Sequence, residues 1–356
     1  MNAEGRGADP SVLHGMDTLC SSYLELRPQD RVLILYSDEL EAEDDQGLLE
    51  VLRARIHAGA ADAELKPADY LDVCIPADRD VLLLVSRVSS PHRGKVLEHL
   101  ESVPGRTRVF RLFNFSPELF RLALAVDRES LDSLNSSIIA AAKATRDIHV
   151  TNGFGTDLHI RPLEDGGWTN SCGYFGGQFP GILPPGEVNT YTPHVTGTFV
   201  ADGALNSSFG FPGDPRLADH PVTLEITEST VTGASCADPL IAGILNNFFE
   251  VENADRVGEV GFGTNEGITE WVDFVSHINE RHAGLHLGLG SPTQPKTKVG
   301  WSAPLHLDLI LDDCSIWFDD ALVFADGRWD RGALRSLNPD PAAVSELGDV
   351  LHVDAV

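Results

Sequence analysis

GEVGFGTN at Gly258–Asn265, LHLGLG at Leu285–Gly290 and LHLDL at Leu305–Leu309 repeat one design. Side chains alternate across a β-strand, so every second residue shares a face. Glu259, Gly261 and Gly263 then lie together, opposite Val260 and Phe262. His286 lies with Gly288 and Gly290, opposite Leu285, Leu287 and Leu289, and His306 lies with Asp308, opposite Leu305, Leu307 and Leu309. Each strand offers an apolar face to a core and a second face bearing carboxylate or imidazole, with glycines leaving space beside two of them. Borderline divalent metals accept these donors, and an i, i+2 pair such as His306 and Asp308 can converge on one ion. A single HxD is more often a chance tripeptide on a solvated face. Three parallel occurrences weigh against chance and predict a β-rich metal-binding domain.

A fourth piece is PPGEV at Pro184–Val188, where Glu187 follows a rigid turn and precedes a strand. Position alone does not separate a ligand there from an ordinary surface glutamate. Around these segments, short strands are predicted at Ile148–Val150, Asp157–Ile160, Gly197–Val200 and Val222–Ile226, among frequent glycine and proline. The residues before Asp147 read differently. RVLILY at Arg31–Tyr36, DVLLLV at Asp80–Val85 and RVFRLF at Arg108–Phe113 alternate with helical stretches at Asp45–His57, Pro117–Val126 and Ser130–Arg146. This is the grammar of a small open parallel sheet covered by helices. The expectation is an α/β domain over residues 1–146, then a β-rich α+β metal-binding domain over 147–356. From about residue 329, through Asn338-Pro339-Asp340-Pro341, the chain reads as a loosely packed extension ending in a short helix and strand.

Length agrees with two domains, since 356 residues exceed the size at which one core usually stops growing. Hydrophobic residues make up 42% and charged residues 22%, an ordinary globular composition, and no apolar run approaches the roughly 18 to 20 residues of a membrane span. The start of the chain lacks the basic and apolar regions of a secretory signal, so a cytoplasmic, soluble protein with no membrane partner is expected. A net charge of −28 would repel a phosphate backbone, which argues against nucleic acid as a partner. After Tyr36 comes Ser37-Asp38-Glu39-Leu40-Glu41 rather than a glycine loop, so dinucleotide binding is disfavoured too. The five cysteines lack CxxC spacing and imply neither a disulfide framework nor a thiolate zinc site.

In their order and approximate spacing, GTDL at Gly155–Leu158, LPPGEV at Leu183–Val188, GEVGFGTN, LHLGLG and HLD at His306–Asp308 resemble the aminopeptidase T and aminopeptidase S group of metallo-exopeptidases. The resemblance covers most of the chain. It implies a homodimer acting on a small-molecule or short peptide substrate. It also implies a two-metal centre, with Glu187 bridging the ions and Glu259, His286, His306 and Asp308 completing the shells; the divalent ions, one or two, would be Zn, Co, Mn or Fe. The chain departs from that pattern at one place. The family supplies a tyrosine shortly after the HLGLG-type strand, whereas here no tyrosine follows Tyr191, and Ser291 or Thr293 stands nearest.

The chain is also similar to the 2,5-dihydroxypyridine dioxygenases, in the first half, in length and in the HxD element. That resemblance implies one iron(II) held by two histidines and a carboxylate, a formula that His286, His306 and Asp308 satisfy. That group carries histidine where this chain has Glu259, so the hydrolase is the preferred expectation. A metal-binding protein without turnover is a third reading, motivated by the missing tyrosine. In a hydrolase, Glu187 between the ions would have its lone pairs occupied, leaving Glu259 as combined ligand and general base. His194, soon after Glu187, is a candidate substrate-binding residue, although a surface-loop histidine is the plainer reading. His277 and His282 are expected to be solvated or capping residues, and the glycine- and aromatic-rich Trp168–Phe179 segment reads as a pocket loop or as packing.

Overall fold

The computed structural model describes residues 9–67, 78–87, 107–164, 166–174, 176 and 180–338. They fall into two compact units, one within 1–131 and 171–185, the other within 132–170 and 186–338. This differs from a break near residue 147, and the reason is physical. The helix Arg128–Ala144 presents Leu134, Ile138, Ile139 and Ala140 to Ala142 to the core of the second unit, at helical spacing. Conversely, Gly181–Leu183 returns to the first unit as an edge strand, pairing in parallel with Arg108–Leu112.

The first unit carries the parallel sheet expected from the sequence. Its five strands run in the order Asp62–Pro67, Arg31–Tyr36, Val81–Val85, Arg108–Leu112, Gly181–Leu183. Val32 to Leu35 and Val81 to Val85 are buried on both faces, which is why these strands read as unbroken apolar runs. The helix Glu43–Gly59 buries Leu49, Leu52 and Ile56.

The second unit holds two larger sheets, of eight and six strands, in which every recorded strand pairing is antiparallel. Their shared core includes Val260, Phe262, Leu285, Leu287, Leu289, Leu307 and Leu309. These are the residues assigned above to the apolar faces of the three repeated strands. The expectation of a loose extension from about residue 329 is corrected. Trp329 is buried, donates its indole N–H to the Gly263 carbonyl at 3.0 Å and packs against Phe262 and Phe324, and Leu334 on the helix Arg331–Leu337 is buried as well. The rest of the extension lies outside the described residues. Among the described residues no disulfide forms, and no helix is long and apolar enough to cross a membrane.

Candidate metal centre

The six-stranded sheet runs in the order Ala204–Ser207, His306–Ile310, Gly284–Gly290, Val257–Gly263, Glu187–Thr190, Trp168–Ser171. Its register sets each candidate ligand against a glycine. His286 faces Gly261, and Glu259 faces Gly288. Asp308 also faces Gly288, His306 faces Gly290, and Glu187 faces Gly263. The glycines are steric requirements. A Cβ on Gly261 would stand 1.9 Å from His286 Nε2, and one on Gly288 would stand 2.7 Å from His306 Cε1 and 2.8 Å from Glu259 Cβ. Gly186, in the PPGEV turn, has φ +114° and would place a Cβ 2.5 Å from that of Asn265, so the turn into Glu187 also needs glycine. The Glu187 carbonyl is fixed by the Asn135 side-chain amide at 3.1 Å.

On the shared face the five side chains form two overlapping groups, Glu187 with Glu259 and His286, and Glu259 with His306 and Asp308. His286 Nε2 lies 3.3 Å from Glu187 Oε1 and 3.9 Å from Glu259 Oε1. His306 Nε2 lies 3.4 Å from Glu259 Oε2 and 2.8 Å from Asp308 Oδ1. The two oxygens of Glu259 thus address different histidines. The resemblance implies that Glu187 sits between the ions; in the structure the member common to both groups is Glu259. His306 Nδ1 donates to the Ser291 carbonyl at 2.7 Å, which turns Nε2, the candidate ligand nitrogen, toward Glu259 and Asp308.

Buried polar atoms in folded proteins almost always have hydrogen-bond partners. Here Glu259 Oε1 and both ring nitrogens of His286 are buried without one. Carboxylate and imidazole donors left unsatisfied at the meeting point of four strands are what a divalent ion would satisfy, so the residues present fit a metal.

The electrostatics are strongly coupled. Burial raises the Glu259 carboxyl well above its usual range, and the neighbouring Glu187 charge adds to the effect. Burial would also raise Glu187, but the Arg281 guanidinium and His286 outweigh it and hold Glu187 below the usual carboxylate range. Burial works against the charged form of His306, yet the Asp308 carboxylate prevails and pushes His306 up to about 10. His286 is likewise raised against its burial, by Glu187 and Glu259. Arg281, buried just before the His286 strand, pairs with both Glu187 and Glu280. Asn206 donates to Glu280 at 2.8 Å and to Asp308 at 3.3 Å.

All five ligands expected from the sequence therefore meet, while His194 does not join them. Its half-exposed ring bonds Glu228 through Nδ1 at 2.9 Å. His277, expected to be solvated or capping, instead stands where Glu280, Arg281, Asp308 and Glu187 act on it, and its pKa is lowered mainly by burial. His282 stacks on Trp271 with ring centroids 4.2 Å apart. Near the missing tyrosine, Ser291 lends its carbonyl to His306, and Thr293 donates at 3.4 Å to Asn189, which donates at 3.1 Å to Glu187. Sequence reasoning missed Arg281, Glu280, Asn189 and Asn206.

The fold matches a 2,5-dihydroxypyridine dioxygenase from Pseudomonas putida KT2440 with TM-score 0.61, 18% identity, and coverage of 92% of this chain and 98% of that one. It also matches AmpT from Thermus thermophilus with TM-score 0.59, 14% identity, and coverage of 89% and 98%. Both resemblances seen in the sequence thus hold at the level of fold. No protein-family model matches the chain, and no curated protein matches its sequence.

Proposed function

We propose that this protein is a divalent-metal-dependent hydrolase with a two-ion centre, acting on an amide or peptide bond of a small or short peptide substrate. One observation carries the reading: the five ligands fall into two three-residue groups that share Glu259. His286 is not in the group of His306 and Asp308, so the two-histidine, one-carboxylate set of a mononuclear iron site is split between the halves. A pair of zinc, cobalt, manganese or iron(II) ions there would polarise a carbonyl and supply a nucleophilic water at neutral pH. The protein's own part is to hold the donors. Gly261 and Gly288 admit the rings, Ser291 orients His306, and Arg281 with Asn189 positions Glu187. Glu259, facing both groups, is the shared ligand. The general-base role expected of it competes for the same lone pairs, so its acid-base work is confined to moments when one oxygen is released.

The second reading, an iron(II) ring-cleaving dioxygenase, draws on the Arg281 to Glu187 ion pair, which engages one oxygen of a carboxylate that the two-ion reading needs as a ligand. A metal-binding protein without turnover is the third. Metal analysis with spectroscopic assignment, combined with assays for amide hydrolysis and oxygen uptake, separates the three. Two ions of unequal affinity are expected, with most metal lost in His306→Ala and Asp308→Ala. Glu259→Gln should lower hydrolysis by about a hundredfold or more, as loss of a group that moves protons does. A single iron with oxygen consumption and no hydrolysis overturns the proposal in favour of the dioxygenase. Stoichiometric metal with neither activity supports the third reading, and no stoichiometric ion at all defeats the centre itself.

A further inference from the structure

On the eight-stranded sheet, Ile148–Asn152 and Asp157–Ile160 pair with His149 directly opposite His159. Alternation places Asp147 on the face of His149, and Asp157 on the face of His159. His149 Nε2 lies 2.8 Å and His159 Nε2 4.0 Å from the same Asp157 oxygen, Oδ1. The two imidazoles stack with centroids 4.5 Å apart and planes 5° from parallel, and Trp317 stacks on the outer side of His149 at 5.4 Å. Both rings are part-exposed, His149 at 33% and His159 at 53% of its side chain, which leaves them room to turn. His159 Nδ1 is also 2.8 Å from Asp147 Oδ2. The Asp147 backbone is in turn clamped to Asp319, its N–H donating to Oδ1 at 3.1 Å and its carbonyl accepting from the Asp319 N–H at 2.8 Å.

We propose that His149, His159 and Asp157 form a second metal site, separate from the buried centre, for a borderline transition ion such as copper(II), nickel(II) or zinc(II). Asp147, by accepting the Nδ1 proton of His159, keeps Nε2 as the bare ligand nitrogen, the arrangement that orients metal-bound histidines generally. The ion takes the place of the proton between His149 and Asp157, the His149 ring carries its proton on Nδ1 instead, and the rings turn out of their parallel stack so that both in-plane Nε2 lone pairs meet the ion. Two nitrogens and one carboxylate oxygen select ions from the upper part of the divalent affinity series and leave positions open to water. The partial exposure of all three ligands gives access without any opening of the fold. The site shares no residue with the buried centre, so it stands or falls independently of the hydrolase reading.

Copper(II) is the probe, because its electron paramagnetic resonance spectrum counts bound nitrogens. Wild type should take up one more ion per chain than His159→Ala, with two nitrogens coupled in the difference spectrum. The extra ion should survive in a His306→Ala/Asp308→Ala background. Asp147→Asn should retain the ion but weaken it about 10- to 100-fold, as loss of an orienting carboxylate does. Equal saturable uptake by wild type and His159→Ala, or a difference spectrum with one nitrogen, overturns the site. Unchanged affinity in Asp147→Asn overturns the role given to that residue. His159 is at the surface, so the decisive variant does not depend on the fold surviving a core change.

Discussion

Strand Arg31–Tyr36 in the first unit and strand Gly284–Gly290 in the second are both enclosed on both faces, by opposite means. RVLILY fills both faces with aliphatic side chains, and its burial is ordinary apolar transfer. GLHLGLG fills one face with Leu285, Leu287 and Leu289 and gives the other to His286 and glycine. An imidazole with no hydrogen-bond partner is costly to bury, and glycine adds backbone entropy to the cost of folding. A strand keeps that face only where something repays it. Equal burial can therefore mark a structural strand or a chemical one, and the polar content of the enclosed face tells them apart.

The largest expected effect tests the charge balance of the chemical face. Arg281→Met leaves Glu187 and Glu280 buried beside each other, so metal-free protein should lose about 3 to 5 kcal/mol of stability in denaturant unfolding. Metal loading should recover part of this; a loss below about 1 kcal/mol in the metal-free protein would mean that Arg281 balances little. Next comes a matched pair across the two strands. Leu33→Ala in the aliphatic strand should cost about 2 to 5 kcal/mol with metal content unchanged. Gly261→Ala should cost about 1 to 3 kcal/mol by overpacking and weaken metal binding by about 10- to 100-fold, since the new methyl group must displace the buried His286 ring. Metal affinity unaltered in Gly261→Ala would remove the steric argument for the glycines.

The smallest effect is on pH dependence. His306 in the metal-free protein is raised from 6.5 to about 10, so its contribution to stability is fully present below pH 6.5 and is lost as pH rises through about 10. An ion must displace that proton. Binding should therefore release protons and tighten by up to about tenfold per pH unit for each proton displaced within this window. Titrations in buffers of different ionisation enthalpy measure the release; flat affinity between pH 7 and 9 would show that His306 is already neutral.

Much of this was legible in the sequence because strand alternation is rigid. Once Leu285, Leu287 and Leu289 are assigned to a core, His286 has no choice of face, and the same holds for Glu259 and for His306 with Asp308. The parallel sheet was legible because strands buried on both faces are apolar throughout, as in VLLLV. Register was not legible, so the opposition of His286 to Gly261 and of Glu259 to Gly288 emerged only in three dimensions. Arg281 and His277 were missed because a charged or titratable residue at a strand's approach normally faces water, and only tertiary packing encloses it. The boundary moved because helix Arg128–Ala144, although continuous in pattern with the α/β half, spends its apolar face on the other unit.

Trp329 gives the molecule a temporal order. A ribosome releases Glu187, Glu259, His286, His306 and Asp308 before it releases the indole that caps the Gly263 carbonyl and wedges against Phe262. Until then the strand bearing Glu259 lacks the indole hydrogen bond to its Gly263 carbonyl and the ring packed on Phe262. Under the proposed function, metal uptake would then follow translation of nearly the whole described chain. A nascent chain stalled short of Trp329 would expose its carboxylates and imidazoles to any passing cation without the geometry that makes one choice better than another.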